Sequence, residues 1–179
     1  NAYDAEHHVV HFSDGQSAVE VDVLVWCTGF RYDFPFLAKP WNTVNDSGRK
    51  VEGLYEQLFN IEDPSLAYIG LPFSVVPFPL FYVQARVLAD AITGSLELPD
   101  YSARKLWLQN KEDELKARNS LTDSKYHFLG NGHEQWDYSA RLMSLRRKDE
   151  HGINEKKEAE VENILKHLQV CKEIYAENR

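Results

Sequence analysis

The order of apolar and polar positions divides the chain into a strand-rich beginning and a helical end. His8-Val9-Val10-His11-Phe12 and Gln16 to Val21 predict two short strands around Ser13-Asp14-Gly15-Gln16, since both residues of an Asp-Gly pair tolerate positive φ. Val21-Asp22-Val23-Leu24-Val25-Trp26 is β-branched and apolar on both faces from Val23 onward, the pattern of a strand inside a covered sheet, and it stops at Cys27-Thr28-Gly29-Phe30. From Arg31 to Gly53, aromatics, prolines and turn formers predict an irregular, partly buried connection. Leu54 to Ile61 fits a helical turn or a short strand, and Ser65 to Gly70 a compact strand ending in glycine. The three prolines of 72–79 predict a loop, because each removes a backbone donor and fixes φ.

Helical spacing takes over after that loop. Val83, Val87, Leu88, Ala91 and Ile92 predict a helix over 80–92 with its stop at Gly94. Ser102 to Arg118 predicts a second helix opened by a hydroxyl cap, and residues 133–147 a third behind Gly130-Asn131-Gly132. The last helix, 155–177, carries Val161, Ile164, Leu165, Leu168, Cys171 and Tyr175 on one stripe that needs a partner surface. The charge-rich run from Arg146 to Lys157 is the candidate hinge before it.

Composition narrows the function classes. The 179 residues suffice for one core with a helical extension, and 20 Lys and Arg against 28 Asp and Glu give a formal charge of -8. Without a basic block to track phosphates, nucleic acid is excluded as the expected partner. Cys27 and Cys171 form no CxxC pair, which argues for a reducing compartment, and the expected location is cytoplasmic. The longest apolar runs are too short for a spanning helix. The only methionine is Met143, so Asn1 is expected to follow residues that were removed or omitted.

Few constellations carry chemistry. A buried strand ending in Thr28-Gly29 lets backbone amides approach a ligand at the carboxyl end of the strand, where α/β sheets hold their ligands; the bland alternative is a core strand and a tight turn. His7 and His11 share one face of a strand, a surface hairpin being the expected setting rather than a metal site. Gly130-Asn131-Gly132 has neither the preceding apolar strand nor the third glycine of a dinucleotide fingerprint. Neither a nucleophile elbow nor an H-E-x-x-H helix is present.

The segment Asp22-Val23-Leu24-Val25-Trp26-Cys27-Thr28-Gly29-Phe30 followed by Phe34-Pro35-Phe36-Leu37 resembles the flavin-containing monooxygenases, where it links the nucleotide and flavin domains. The family's usual wording is Ala-Thr-Gly-Tyr; Cys27 and Phe30 depart from it, and the tyrosine hydroxyl is lost. The resemblance continues in order through Leu54-Tyr55, Pro64 to Leu71, Pro77-Phe78-Pro79-Leu80-Phe81, Gln84-Ala85-Arg86, Gly94 and Leu98-Pro99, and more loosely beyond residue 100. It implies an α/β fold: an incomplete FAD/NAD(P)-binding, two-dinucleotide-binding sheet layer with a helical C-terminal section. Residues 1–100 are then the end of the FAD/NADP-binding domain, 101–150 a helical section and 151–179 a terminal amphipathic helix.

The resemblance further implies that NADPH reduces FAD and that one oxygen atom of O2 goes to a soft nucleophilic nitrogen or sulfur of a small molecule. The glycine-rich phosphate loops are expected before Asn1, in an N-terminal domain of the same protein. Thr28, Gly29, Phe30, Pro79 and Gln84 are the cofactor-binding candidates, with no catalytic side chain assigned. For Gln84, capping of the neighbouring loop competes evenly with a cofactor contact; for Arg86 a structural salt bridge is favoured. His133, Trp136 and Tyr138 fit either an aromatic-lined substrate pocket or ordinary helix packing. Other readings stay open: a Baeyer–Villiger or auxin-type monooxygenase, a non-catalytic binding module using its terminal helix, and a structural fragment.

Overall fold

The computed structural model describes residues 2–18, 21–130, 134–146 and 155–177. Two units separate along the chain, Asn1–Phe30 and Arg31–Arg179.

In the first unit β1 (Ala2–Asp4), β2 (Val9–His11) and β3 (Ser17–Ala18) form an antiparallel sheet in that order. The β2–β3 hairpin is the one the Asp-Gly pair predicts. Gly15 has φ +86°, and the Phe12 amide donates to the Gln16 carbonyl at 2.9 Å. Strand β1 pairs Tyr3 with Val10 and was hidden in a polar stretch with no alternation. His7 bonds Asp4 and His11 bonds Ser17, and no metal-competent cluster of His, Cys, Asp or Glu occurs among the described residues. Residues 21–30 form no ladder with any described strand, and Val23, Val25 and Trp26 are exposed. A strand exists only through its neighbours, and apolar periodicity cannot supply them.

The second unit is helical apart from one hairpin. Strands β4 (Leu54–Tyr55) and β5 (Phe59–Asn60) are followed by helices α1 (Pro77–Ile92), α2 (Tyr101–Ala117), α3 (Glu134–Leu145) and α4 (Glu155–Glu177), with one 3₁₀ turn at Asp123–Lys125. Ser65 to Gly70 makes only an isolated bridge between Ala67 and Phe59 instead of the expected strand. Helix α1 begins three residues earlier than its apolar spacing suggests, because Pro77 and Pro79 fall in the first turn, where amides have no intrahelical acceptor anyway. Helix α2 is capped by Asp100, whose Oδ1 accepts from the Ala103 amide at 2.8 Å, rather than by Ser102.

The main core joins Tyr55, Phe59 and Ile61 of the hairpin region to Leu80, Val83 and Val87 of α1, Leu142 and Met143 of α3, and Val161 and Leu168 of α4. Full burial of each such side chain contributes about 1.5–3 kcal/mol. The α4 stripe thus has its partner surface in α3, the element it contacts most; the Tyr175 side chain lies outside the described set. Buried Arg146 pairs with Asp90 of α1 at 2.6 Å and with Glu160 of α4 at 3.3 Å, and Arg86 also pairs with Glu160, the salt bridge favoured for it. The rest of the proposed hinge, 147–154, lies outside the described residues. A smaller cluster of Val51, Leu54, Tyr68 and Leu71 takes Phe34 and Leu37 against it, while Phe36 stays exposed.

Candidate functional site

The loop between Gly70 and α1 is held at both ends by buried glutamines. At its start the Gly70 amide donates to Gln84 Oε1 at 3.0 Å. At its end Gln135 of α3 acts as a surrogate backbone: the Val76 amide donates to its Oε1 at 2.7 Å, and its Nε2 donates to the Val76 carbonyl at 2.8 Å. Between them the Phe73 amide donates to the His127 carbonyl at 3.2 Å, and the Phe73 and Phe128 rings lie 5.5 Å apart. Gly70 sits at φ +88°, and a Cβ there would come within 3.1 Å of the Phe81 ring. The result is a rigid turn with an apolar outer side, since Phe73, Val76, Phe78 and Tyr82 are all exposed. Helix α1 opens behind it with no acidic residue in its first turn; Pro77 and Pro79 carry no N–H and the Val76 amide is taken by Gln135, which leaves Phe78 as the first-turn residue with an amide hydrogen.

Gln84 is fully buried, and both ends of its amide bond within the protein. Its Nε2 donates to the Tyr138 hydroxyl at 3.1 Å, and that hydroxyl donates to the Glu56 carbonyl at 2.6 Å. Burial raises the Tyr138 phenol well above its ordinary range, which keeps it a donor. This geometry is the loop-capping role weighed for Gln84. Pro79 is half-buried in the first turn of α1. Thr28, Gly29 and Phe30 belong to the first unit; Gly29 has φ +82° with open space where a Cβ would be, and the Phe30 side chain is 99% exposed. Trp136 and Tyr138 pack in the core, and His133 lies outside the described residues.

The β4–β5 turn carries the polar groups that sequence reasoning missed. Glu56 and Gln57 both have positive φ, 51° and 53°, in a turn closed by the Leu58 amide on the Tyr55 carbonyl at 3.1 Å. Glycine or asparagine is the usual choice there. Glu56 is nevertheless buried. Desolvation raises its carboxyl above the usual range, and Arg141 of α3, 3.0 Å away, opposes that shift. Gln57 Oε1 takes a hydrogen bond from His127 Nδ1 at 3.1 Å, while His127 Nε2 accepts from the Val51 amide at 3.1 Å. His127 is therefore a neutral imidazole with its proton on Nδ1, and burial, followed by Lys111 and Lys50, pushes its pKa down to about 3. No spacing rule reveals such groups; only an apolar setting around a polar residue type would have flagged Gln135 in its aromatic segment.

Next to this turn, α2 and α3 enclose a cleft of about 380 Å³ lined by Gln57, Trp107, Lys111, Tyr126 and Arg141 among others. Neither the loop nor the cleft presents a nucleophile–base pair. Their chemistry is that of walls and fixed donors.

Residues 3–145 match the family described as FMO-like, flavin-binding monooxygenase-like. Flavin-containing monooxygenase FMO GS-OX-like 4 of Arabidopsis thaliana is 34% identical over 143 residues, covering 75% of this chain and 29% of that protein. The trimethylamine monooxygenase of Methylocella silvestris is 36% identical over 95 residues, 53% of this chain and 21% of that protein. Among solved structures, the S-allyl-L-cysteine S-oxygenase of Allium sativum superposes with a TM-score of 0.67 at 28% identity, covering 93% of this chain and 36% of the oxygenase. The chain thus spans about a third or less of the length of the relatives it matches.

Proposed function

Because the chain belongs to the flavin-binding monooxygenase-like family, we propose that it forms one wall of the flavin and substrate chamber of an FAD- and NADPH-dependent enzyme that puts one oxygen atom of O2 onto a soft nitrogen or sulfur of a small molecule. The match across residues 3–145 carries this reading. Flavin, when bound and reduced, supplies the oxygen-activating chemistry. The residues present fit a planar ring: the loop ahead of α1 is pinned by Gln84 and Gln135, and its exposed side is apolar and largely aromatic.

In this assignment Pro79 and the first turn of α1 face the cofactor, and Gln84 acts from behind by fixing Gly70. In the first unit, Thr28, Gly29 and Phe30 are the cofactor-binding residues that the family resemblance implies. The apolar run Val23 to Trp26 completes a dinucleotide-binding sheet whose other strands, with the phosphate-gripping loops, come from the N-terminal part of the same protein. Both cysteines are free, and no helix among the described residues is long and apolar enough to cross a membrane. Exclusion of water from the reduced cofactor is the contribution expected of such walls.

The test uses the longer protein that contains this chain. Purified, it should be yellow and should oxidise NADPH faster when O2 is supplied with a thioether or a tertiary amine. Phe30→Ala should leave the stability of the protein within about 0.5 kcal/mol of the parent on the chain's own geometry, since a lone exposed side chain contributes little, yet it should release flavin more readily. A colourless protein without such turnover overturns the proposal.

A further inference from the structure

The α2–α3 cleft contains a cation, Lys111, that makes no ion pair among the described residues. Of the guanidiniums lining it, Arg118 pairs with Glu114 and Glu134, and Arg141 pairs with Glu56. The rim carboxylate of Asp137 is taken by Lys172. Lys111 makes no ion pair among the described residues; its ammonium rests 4.0 Å from the centre of the Tyr126 ring, on which Lys50 also stacks at 4.1 Å. A half-buried ammonium on a π-face, on which Glu112 and Glu56 act without forming an ion pair, is poorly solvated and incompletely compensated. Around it the cleft offers the Trp107 and Leu129 side chains as apolar surface, together with Gln57, whose Oε1 is already engaged by His127 and whose amide nitrogen remains as a donor.

We propose that this cleft binds a small amphipathic monocarboxylate, its carboxylate on Lys111 and its apolar part against Trp107, at a site separate from the loop assigned to the cofactor. A volume of about 380 Å³ fits a ligand of that size. The sign and number of the charges select a monoanion. One cation is open, while Arg118 and Arg141 are already paired with Glu114, Glu134 and Glu56, so among the described residues no second unpaired cation lines the cleft and phosphates are disfavoured. The titration of Lys111 agrees. Burial, reinforced by Lys50 and more weakly by Arg141, pushes its pKa down to about 7, while Glu112 of α2 and Glu56 of the β4–β5 turn oppose the shift. A carboxylate that needs the charged amine therefore binds best below pH 7. At pH 8 only about a tenth of the sites are protonated, so affinity should fall about tenfold from pH 6.

The experiment is isothermal titration of the chain with benzoate, benzamide and inorganic phosphate at pH 6 and pH 8. Benzoate should bind at pH 6 at least tenfold tighter than benzamide or phosphate, lose about tenfold at pH 8, and take up protons at pH 8. Lys111→Met should abolish the preference for benzoate over benzamide, and Lys116→Met, at an exposed lysine further along α2, should not. Since the pH dependence is read on the unsubstituted protein, the test does not depend on how well Lys111→Met folds. Equal binding of benzoate and benzamide, or benzoate binding that is unchanged from pH 6 to pH 8, overturns the proposal.

Discussion

Acidification should loosen the second unit through one imidazole. His127 is 1% exposed, donates from Nδ1 to Gln57 and accepts at Nε2 from the Val51 amide. A proton on Nε2 would replace that accepted bond with two donors facing each other and would place a charge in a buried site near Lys111 and Lys50. With a folded pKa of about 3 against about 6.5 in the unfolded chain, the unfolded state binds more protons throughout that window. Stability is then fully present above pH 6.5 and is lost as the pH falls toward 3. Integrated from pH 7 to pH 4, the loss is about 3 kcal/mol. Urea unfolding at pH 7, 6, 5 and 4 measures it, with His127→Gln as the comparison. The substitution should lower stability at pH 7 but remove about 3 kcal/mol from the acid-dependent difference. Other carboxylates titrate in the same range, and Glu56 with the opposite sign, so the difference between the two proteins is the quantity that isolates His127. Parallel pH profiles for the two proteins would refute the assignment of a buried neutral imidazole.

Two further substitutions probe the polar framework. Gln84→Ala leaves the Gly70 amide without its acceptor and takes from Tyr138 the donor it receives; it should cost about 2–3 kcal/mol in denaturant unfolding, and no loss would show that the loop is not held from Gln84. Arg141→Met strands the buried Glu56 carboxylate; because Arg141 is itself half exposed, the expected cost at pH 7 is about 2 kcal/mol, below that of a fully buried pair. That cost should shrink as the pH falls and Glu56 takes up a proton, and the Glu56→Gln, Arg141→Met double variant should recover most of it. A pH-independent cost would mean that Arg141 acts through packing alone.

Local features were readable where local forces decide them. Helix α4 has the bounds its stripe predicts, and the Asp14-Gly15 turn forms where its residue types require. The α1 start was misplaced because proline's effect depends on whether its position needs a donor, and in a first turn it does not. The Val23–Trp26 run shows the other limit: its pattern states what surroundings it needs, and no described strand provides them. Of the candidate site, the family blocks pointed to the α1 loop, but the roles of Gln84, Gln135 and His127 depend on partners 14 to 76 residues away. Hydrogen bonds across such separations leave no periodic trace in a sequence.

The β4–β5 turn has a consequence for anyone redesigning this protein. Left-handed backbone at Glu56 and Gln57 costs about 1–2 kcal/mol per residue, so a stability algorithm would replace the pair with Asn-Gly. The turn carries three separate linkages: the Glu56 carboxylate to Arg141, the Gln57 side-chain amide to His127, and the Glu56 backbone carbonyl to Tyr138 and so to Gln84. A backbone-perfect turn would cut the first two and keep only the third. The optimised variant would thus form a better hairpin while losing the Glu56–Arg141 and Gln57–His127 bonds beside the α2–α3 cleft, and improvement judged on the turn alone would be read with the wrong sign.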